Sequence, residues 1–340
     1  MKLINKVDEL LDRLQSVALT NPFFSVLVAH HLARNLYPSD PYLVKNNSLK
    51  MGTKLEKTLQ ECNEFLDLAE VYESYSITNF ESSVEDEVKS RTGGIYGNLW
   101  NKFPKDIVSS AENILKSRFS RNNLDLEKIA RGKILDAGCG SGRYTLAIAK
   151  YGDEVIGLDF GDQGLEIANS LKSTIEIEDS RKVTFVKGDL LNLPFQDGEF
   201  DFVMSNGTAH HTTDPVRALH EVIRVTSRGG QAFIYLYGSG GIFWHTRKRL
   251  NKIMKYIPQE RTSLILKALG MPGERFIFED NWYVPIEHHM EVQEVEKVFK
   301  DCAVAEFQRL TYGTETDIYP TSPEDEEFFG SGELRYMVQK

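Results

Sequence analysis

The sequence has few cysteines, no long apolar run and no excess of positive charge. Its three cysteines, at positions 62, 139 and 302, are far apart and form neither a metal-ligand spacing nor a disulfide framework. The longest apolar run near the N-terminus, 23–29, is much too short to cross a bilayer. The opening residues, MKLINKVDELLDRL, carry acids where a signal peptide would be apolar. These absences predict a protein of the reducing cytoplasm that does not bind a membrane.

The charge balance argues against a nucleic-acid partner. Fifty acidic residues outnumber forty basic ones, giving a net charge of −10, whereas binding to phosphates needs a basic surface. The 340 residues, 41% of them apolar, are enough for one large or two smaller globular domains.

The first part of the chain, 1–85, has a helical pattern. Apolar residues recur at spacings of three and four from Leu3 to Val17, and again from Leu55 to Ala69. Prolines at 38 and 41 indicate a loop between these stretches. We therefore expect a helical N-terminal extension that serves as a substrate lid or as a homodimer contact.

From residue 133 onward, apolar strands alternate with helical patterns, which is typical of an α/β domain with a largely parallel sheet. The predicted strands begin at Ile134 and continue at 154–158, 183–186, 200–205 and 231–237. Two further strands, at 303–310 and 334–338, fit an antiparallel C-terminal hairpin. The acidic segment between them, 313–332, is predicted to be an exposed loop.

The stretch KILDAGCGSGR, 133–143, passes from an apolar strand through three glycines into a helical pattern. Strand, glycine turn and helix together let backbone N–H groups at a helix N-terminus approach a bound cofactor. Four polar residues, Asp136, Asp159, Asp189 and Asn206, end successive strands or follow them directly. Since ligands of open α/β sheets bind outside the carboxyl ends of the strands, these residues should converge on one crevice.

The roles of these side chains follow from their chemistry. Asp159 is placed to accept hydrogen bonds from two ribose hydroxyls. Asp189 is suited to an exocyclic adenine amine, with the backbone N–H of Leu190 available for a ring nitrogen. Gly138 and Gly140 let the backbone approach the ligand without a side-chain clash.

The chain resembles the class I S-adenosylmethionine-dependent methyltransferases, of the small-molecule type related to ubiquinone and menaquinone methyltransferases. The motifs that carry the resemblance lie between 135 and 238: LDAGCGSG, VIGLDF, FVKGDLLNLPFQDGEFDFVMSNGTAHHTTDP and ALHEVIRVTSRGGQAFIYLYG. The resemblance implies a Rossmann-like α/β fold with a seven-stranded, mostly parallel sheet and an antiparallel C-terminal hairpin. It also implies a methyltransferase domain over 86–340, with a substrate-binding insertion around 239–290.

In such enzymes the first motif wraps the methionine part of S-adenosylmethionine, the acid of the second strand holds the ribose and the acid of the third holds the adenine. Asp136 is implied to order the loop and face the methionine amine. The predicted cofactor site is Asp136, Ala137, Gly138, Gly140, Asp159, Phe160, Gly188, Asp189, Leu190 and Asn206. A nicotinamide dehydrogenase is the natural competitor, but its G-x-G-x-x-G fingerprint differs from the G-x-G-x-G found here.

The catalytic and acceptor residues are harder to predict. His210 and His211 follow the fourth strand and are candidates for a general base or for shaping the cofactor loop. A basic run at 247–252 could bind an acidic group or form a solvated face. No metal site is predicted, since Glu287, His288 and His289 in sequence cannot easily all face one ion. Candidate acceptor contacts are Tyr96, Trp100, Tyr237, Trp244, Arg247, Trp282 and Tyr283.

The sequence thus predicts methyl transfer from S-adenosylmethionine, leaving S-adenosylhomocysteine, to an O, N or S atom of a small molecule by in-line displacement. Two alternatives stay open. One is a methyltransferase that modifies protein. The other is a catalytically silent module that binds S-adenosylmethionine or S-adenosylhomocysteine.

Overall fold

The computed structural model describes residues 2–18, 20–36, 48–71, 107–174, 182–269, 275–311, 317–320 and 322–340. In these ranges the chain divides into two compact units. Unit 1 comprises 1–86, 240–284 and 320–330, and unit 2 comprises 87–239, 285–319 and 331–340. None of the helices in the described ranges is long and apolar enough to cross a membrane.

Unit 2 is built on one seven-stranded sheet, whose strand order is β3-β2-β1-β4-β5-β7-β6. Strands β1 to β5 run parallel to one another. Strand β7 pairs antiparallel with both β5 and β6. The strands are β1 Lys133–Ala137, β2 Glu154–Asp159, β3 Val183–Lys187, β4 Phe200–Asn206, β5 Thr226–Tyr237, β6 Glu306–Arg309 and β7 Glu333–Gln339. The predicted mixed sheet with its antiparallel C-terminal hairpin is confirmed.

The central strands are buried on both faces, which explains why they read as continuous apolar runs rather than alternating ones. Neighbouring residues of each strand enter opposite cores: Ile134, Phe202 and Phe233 pack on one side, and Leu135, Val203 and Ile234 on the other. Strand β5 begins five residues earlier than predicted. Its first part, which includes Gly229 and Gly230, pairs with β4 after a shift of register between Phe200 and Phe202.

In the described part of unit 2, six helices precede, connect or follow the parallel strands. They are α4 Ile107–Arg121, α5 Leu126–Ile129, α6 Arg143–Ile148, α7 Asp162–Thr174, α8 Pro215–Val225 and α12 Val292–Asp301. Helix α8 begins where the sequence predicts, because the Asp214 carboxylate accepts a hydrogen bond from the Arg217 N–H and Pro215 occupies the first helical position.

The described part of unit 1 is helical. Its helices are α1 Lys2–Ala18, α2 Pro22–Leu36, α3 Ser48–Val71, α9 Gly241–Met254, α10 Gln259–Ala268, α11 Arg275–Tyr283 and α13 Pro323–Phe329. Leu10, Leu14 and Leu32 are among the fully buried side chains of its interior. The N-terminal stretches predicted to be helical are therefore helices, and they belong to the same unit as 240–284.

The expectation of an exposed acidic loop over 313–332 is wrong for helix α13. Ser322 caps this helix by accepting a hydrogen bond from the Asp325 N–H, and Pro323 fills its first turn. Phe328 and Phe329 are buried, and so is Asp325. Four consecutive acids suggested solvent exposure, but the two phenylalanines that follow them provide a face for packing.

A buried ionic network ties helix α4 to strand β7 within unit 2. Arg118 donates two hydrogen bonds to the Asp317 carboxylate, each 2.9 Å long, and Arg335 lies 2.9 Å from the same carboxylate. Arg335 also donates a hydrogen bond of 2.7 Å to the Glu333 carboxylate. The same carboxylate accepts a hydrogen bond of 2.5 Å from the Tyr235 hydroxyl. The Asp317 carboxylate is thus shared by the buried guanidinium groups of Arg118 and Arg335.

Replacing Asp317 by alanine should lower the free energy of unfolding of unit 2 by about 3–5 kcal/mol, because both guanidinium groups lose their shared buried partner. Urea unfolding followed by circular dichroism measures this change. Asp301→Ala is the matched control: this exposed acid pairs with Lys297 one helical turn away, and its loss should cost under about 0.5 kcal/mol. Equal effects of the two substitutions would contradict the role given to the network.

Candidate functional site

Three strands bring the predicted acids to one edge of the sheet. In the β1–β2 register Ala137 pairs with Leu158, so Asp136 lies beside the end of β2 that carries Asp159. Asp159 in turn pairs with Lys187, two residues before Asp189. Asn206 ends β4 at the same edge, where β4 also neighbours β1. The carboxyl ends of the parallel strands therefore collect all four polar residues, as the sequence predicts.

The glycine loop after β1 is held by the end of β2. The N–H groups of Gly138 and Cys139 both donate to the Leu158 carbonyl, at 2.8 and 2.9 Å. The next N–H, that of Gly140, donates to the Asp159 carboxylate at 2.8 Å. Gly138 and Gly140 have φ angles of 90° and 52°, a region that residues with a Cβ seldom adopt.

Asp159 has a structural role in addition to the ligand role predicted for it. Its two carboxylate oxygens accept the N–H groups of Gly140 and Gly161, each at 2.8 Å. Burial raises the pKa of Asp159, and these N–H groups oppose that rise. A carboxylate offers about four acceptor positions, so two N–H donors leave capacity for a pair of hydroxyl groups.

Asp136 is buried with only 2% of its surface exposed, and its carboxylate accepts the Thr145 hydroxyl at 2.6 Å. Burial raises the pKa of Asp136 to about 7, an effect that Thr145 opposes and the negative charge of Asp159 reinforces. The bond to Thr145 fixes helix α6 against β1, which is the loop-ordering role that the family resemblance implies for this acid.

Thr208 is a site residue that the sequence did not reveal. Its hydroxyl donates to the Gly138 carbonyl at 3.0 Å and so joins the loop after β4 to the glycine loop. A Cβ placed on Gly138 would lie 2.2 Å from the Thr208 methyl group. Only the run Asn206-Gly-Thr after a strand hinted at this contact, and nothing local identifies its partner 70 residues away.

The residues predicted to hold an adenine lie around the end of β3. The Asp189 carboxylate accepts the Leu191 N–H at 2.9 Å, and Leu190 is buried. The Gly188 N–H donates to the Asp159 carbonyl at 3.0 Å, which joins this turn to the end of β2. Phe160 is 45% exposed, an unusual degree for a large apolar side chain beside these acids.

His210 and His211 form a short 3₁₀ turn after β4 and differ sharply in environment. His210 has no exposed surface, and its ring stacks on Tyr237 with a centroid separation of 3.8 Å and an angle of 29° between the rings. His211 is partly exposed, and its Nδ1 lies 2.8 Å from the Ile286 carbonyl oxygen. Tyr237, which the sequence predicts as an acceptor contact, therefore packs against the ring of His210.

The other predicted acceptor contacts lie in unit 1 or outside the described residues. Trp244, Arg247 and Trp282 are each at most 8% exposed, and the Tyr283 hydroxyl donates to the Ile257 carbonyl at 2.9 Å. Tyr96 and Trp100 fall in the range 72–106, outside the described residues.

The basic run of helix α9 meets acids of the same unit. Arg249 pairs with Asp8 at 2.9 Å and with Asp12 at 2.5 Å, and the His245 ring lies 2.7 Å from Asp8. These contacts give the basic run a structural partner in helix α1. In the described ranges no three His, Cys, Asp or Glu side chains are grouped so as to hold a metal ion.

Comparison with known families finds a match in the part of the chain that forms this edge of the sheet. Residues 135–234 match the family model described as a methyltransferase domain. The matched range starts in β1 and ends in β5, and so contains the glycine loop, Asp159, Asp189, Asn206 and both histidines.

Curated relatives match the same region. An uncharacterized methyltransferase, YcgJ of Bacillus subtilis, is 35% identical over 102 residues, which are 30% of this chain and 39% of that protein. Demethylmenaquinone methyltransferase of Staphylococcus saprophyticus is 29% identical over 42% of this chain and 60% of its own. Norajmaline N-methyltransferase of Rauvolfia serpentina is 34% identical over 31% of this chain and 35% of its own. The chain therefore matches less than two thirds of the length of each.

Among solved structures, that of YcgJ from Bacillus subtilis aligns over 62% of this chain and 93% of its own, with a TM-score of 0.42 and 19% sequence identity. A putative S-adenosyl-L-methionine-dependent methyltransferase from Methanococcus maripaludis aligns over 77% of this chain and 97% of its own, with a TM-score of 0.42 and 19% identity.

Asp136→Asn should stabilise the protein increasingly as pH rises. The folded-state pKa near 7 lies above the ordinary value of 3.8, so the folded wild type binds an extra proton between those values and loses stability as pH increases through this window. The gap in unfolding free energy between variant and wild type should widen by about 4 kcal/mol from pH 4 to pH 7.

Urea unfolding at a series of pH values measures this gap. Asp153→Asn, an exposed acid at the opposite end of β2, is the matched control and should show no such trend. If the difference in unfolding free energy between Asp136→Asn and the wild type stayed constant from pH 4 to pH 7, Asp136 would be ionised over this whole range in the folded protein.

Gly138→Ala should separate the glycine loop from Thr208, because the added methyl group meets Thr208 at 2.2 Å and the φ angle is 90°. We expect affinity for S-adenosylhomocysteine, measured by calorimetry, to fall at least about tenfold, or 1.4 kcal/mol. Gly229→Ala is the control for backbone strain alone, since its φ is 76° and nothing lies within 4 Å of the added Cβ. Equal affinities of the two variants would refute a specific role for the Gly138–Thr208 contact.

Proposed function

We propose that this chain, which contains a class I S-adenosylmethionine-dependent methyltransferase domain, transfers the methyl group of S-adenosylmethionine to a nucleophilic atom of a small molecule. The observation that carries the proposal is the edge of the sheet itself. A glycine loop with left-handed φ angles, the buried carboxylate of Asp136, the partly buried carboxylate of Asp159 and the polar end of β4 lie together where the strands end.

The residues of this edge fit the cofactor. Gly138 and Gly140 leave their Cα atoms without side chains beside the proposed methionine part, and Asp159 retains acceptor capacity for a ribose. The Oδ1 atom of Asn206 is buried and has no hydrogen-bond partner among the described residues, so it is suited to the cofactor ammonium. Phe160 offers an exposed aromatic face beside Asp159 for the adenine ring.

S-adenosylmethionine supplies an electrophilic methyl group on a positively charged sulfur. Transfer is a displacement in which the acceptor atom forms the new bond to carbon while the sulfur keeps the electron pair of the bond that breaks. The protein contributes by holding the two molecules in line and by excluding water. His210 and His211 follow Thr208, which bonds to the glycine loop, by two and three residues, and an imidazole ring is a candidate proton acceptor at neutral pH.

A small-molecule acceptor is supported by two observations. The relatives named above include proteins named for the small molecules demethylmenaquinone and norajmaline. The net charge of −10 disfavours a nucleic-acid acceptor. We propose a cytoplasmic enzyme, in which the N-terminal helices of unit 1 act as a lid or as a homodimer contact.

Asp159→Ala should weaken binding of both S-adenosylmethionine and S-adenosylhomocysteine by about 100-fold or more. The variant loses two hydrogen bonds to a charged group, each of about 1.5–3 kcal/mol, as well as the anchor of the glycine loop. Calorimetry on the full chain measures the dissociation constants. Asp153→Ala, at the other end of the same strand, should bind as tightly as the wild type.

The same titrations test the proposed function as a whole. Tight binding of NAD, together with no binding of S-adenosylmethionine, would refute it. Incubation with S-adenosylmethionine labelled on the methyl group and the small-molecule fraction of a cell extract then identifies the acceptor by mass spectrometry. Tight binding without any labelled product would instead favour the silent binding module.

A further inference from the structure

One extended stretch, 286–290, holds the ends of two neighbouring strands together within unit 2. Its Met290 N–H donates to the Tyr237 carbonyl at 3.0 Å, and its His288 N–H donates to the His210 carbonyl at 2.9 Å. Its Ile286 carbonyl faces the His211 ring. The stretch thus lies against the last residue of β5 and against the histidine turn after β4.

The contact with Ile286 determines which ring nitrogen of His211 carries the proton. The Ile286 carbonyl oxygen lies 2.8 Å from Nδ1, and a carbonyl can only accept a hydrogen bond. Nδ1 must therefore be the donor, which places the lone pair of the neutral ring on Nε2. A histidine whose Nδ1–H is held by a backbone carbonyl presents Nε2 as the proton acceptor.

His210 is unsuited to the same task. Its ring has no exposed surface and packs against the rings of both Tyr237 and His211, at centroid separations of 3.8 and 4.2 Å. The Tyr237 and His211 rings also contact each other, at a centroid separation of 5.6 Å. The two histidines, equivalent in the sequence, therefore have different environments and different capacities.

A buried carboxylate–histidine pair lies in the same stretch. The His289 Nε2 lies 2.7 Å from the Glu287 carboxylate, and its Nδ1 lies 3.1 Å from the Gly238 carbonyl. The two side chains are only 11% and 7% exposed. The Gly238 carbonyl can only accept, so Nδ1 is the donor there, and one further proton joins Nε2 to the Glu287 carboxyl group. The pair fixes the stretch to Gly238, directly after β5.

The titratable groups around His211 come from three elements. His210 lies beside it in the histidine turn, Tyr237 faces it from β5 at a centroid separation of 5.6 Å, and the Glu287–His289 pair approaches Tyr237 from the stretch 286–290. With one proton between His289 Nε2 and the Glu287 carboxyl group, the pair is neutral as a whole whichever group holds that proton. It therefore positions His211 without adding a net charge beside it.

We propose that His211 is the general base of methyl transfer and that the Glu287–His289 pair is its positioning element. The pair anchors the stretch 286–290 on Gly238, the stretch presents the Ile286 carbonyl to Nδ1 of His211, and Nε2 of His211 receives the proton of the acceptor. This inference rests on the proposed function of the domain.

The inference identifies the class of acceptor. His211 Nε2 takes a proton from a hydroxyl or ammonium group as the oxygen or nitrogen forms its bond to the methyl carbon and the sulfur–carbon bond breaks. The sulfur keeps the bonding pair, and the products are the methylated acceptor, S-adenosylhomocysteine and a protonated His211. A thioether has no such proton to give, whereas an alcohol, a phenol, a thiol or an amine does, and the acceptor belongs to this second class.

The positioning claim is tested without an acceptor by ¹H–¹⁵N correlation spectra of the full chain labelled in its eight histidines. His211→Gln and His289→Gln assign the two rings. In the wild type, His211 and His289 should each carry a proton on Nδ1. In Glu287→Gln, His211 should exchange between its two tautomers.

Two spectral outcomes overturn the positioning claim. One is a proton on Nε2 of His211 in the wild type. The other is a His211 signal that is identical in the wild type and in Glu287→Gln. His220→Gln is the matched control, because His220 lies on helix α8 against Cys302 and its loss should leave both ring patterns unchanged.

The base role is tested by transfer to catechol, tyramine and dimethyl sulfide, with S-adenosylhomocysteine formation as the readout. His211→Gln should lower kcat on a hydroxyl or amine acceptor about 100-fold or more and leave the dissociation constant of S-adenosylhomocysteine within twofold. Unchanged kcat in this variant, or methylation of dimethyl sulfide alone, overturns the base role. A wild type that does not bind S-adenosylhomocysteine would instead refute the proposed function.

Discussion

The candidate site depends on the anchoring of the glycine loop to the end of β2. Three successive N–H groups, from Gly138 to Gly140, donate to the Leu158 carbonyl and to the Asp159 carboxylate. The loop cannot move without breaking these bonds. The left-handed φ angles of Gly138 and Gly140 favour glycine, so these two positions have no side chain at the edge of the sheet. Cofactor site and fold are therefore stabilised by the same hydrogen bonds, and Asp159 belongs to both.

Much of this arrangement could be predicted because its determinants are local. Apolar runs ending in Asp136, Asp159 and Asn206 predict strands whose carboxyl ends meet, and parallel pairing then brings these ends together. The cap formed by Asp214 and Pro215 is equally local, and helix α8 begins where it predicts. The seven strands and the antiparallel hairpin followed from the family resemblance, whereas the order of the strands was not predicted, since each strand can pair with several others.

The features that the sequence did not reveal are contacts between distant residues. Thr208 meets Gly138 across 70 positions, and His211 meets Ile286 across 75. For Glu287-His288-His289 the sequence predicted no metal site and gave no other role, whereas in the structure its groups bond to Gly238 and to the histidine turn. Helix α13 was missed for a different reason, because four acids outweighed the two phenylalanines that bury its face.

The insertion of β7 between β5 and β6 has a consequence for synthesis of the chain. Strand β5 pairs along Gln231 to Tyr237 with β7, which begins 96 residues after Tyr237. Until the residues of β7 leave the ribosome, one edge of β5 lacks its native partner, and its core side chains include Phe233 and Ile234. An unpaired apolar edge is a template for association with other chains. Nascent chains stalled shortly before residue 333 should consequently be the species most prone to aggregate and most dependent on chaperones.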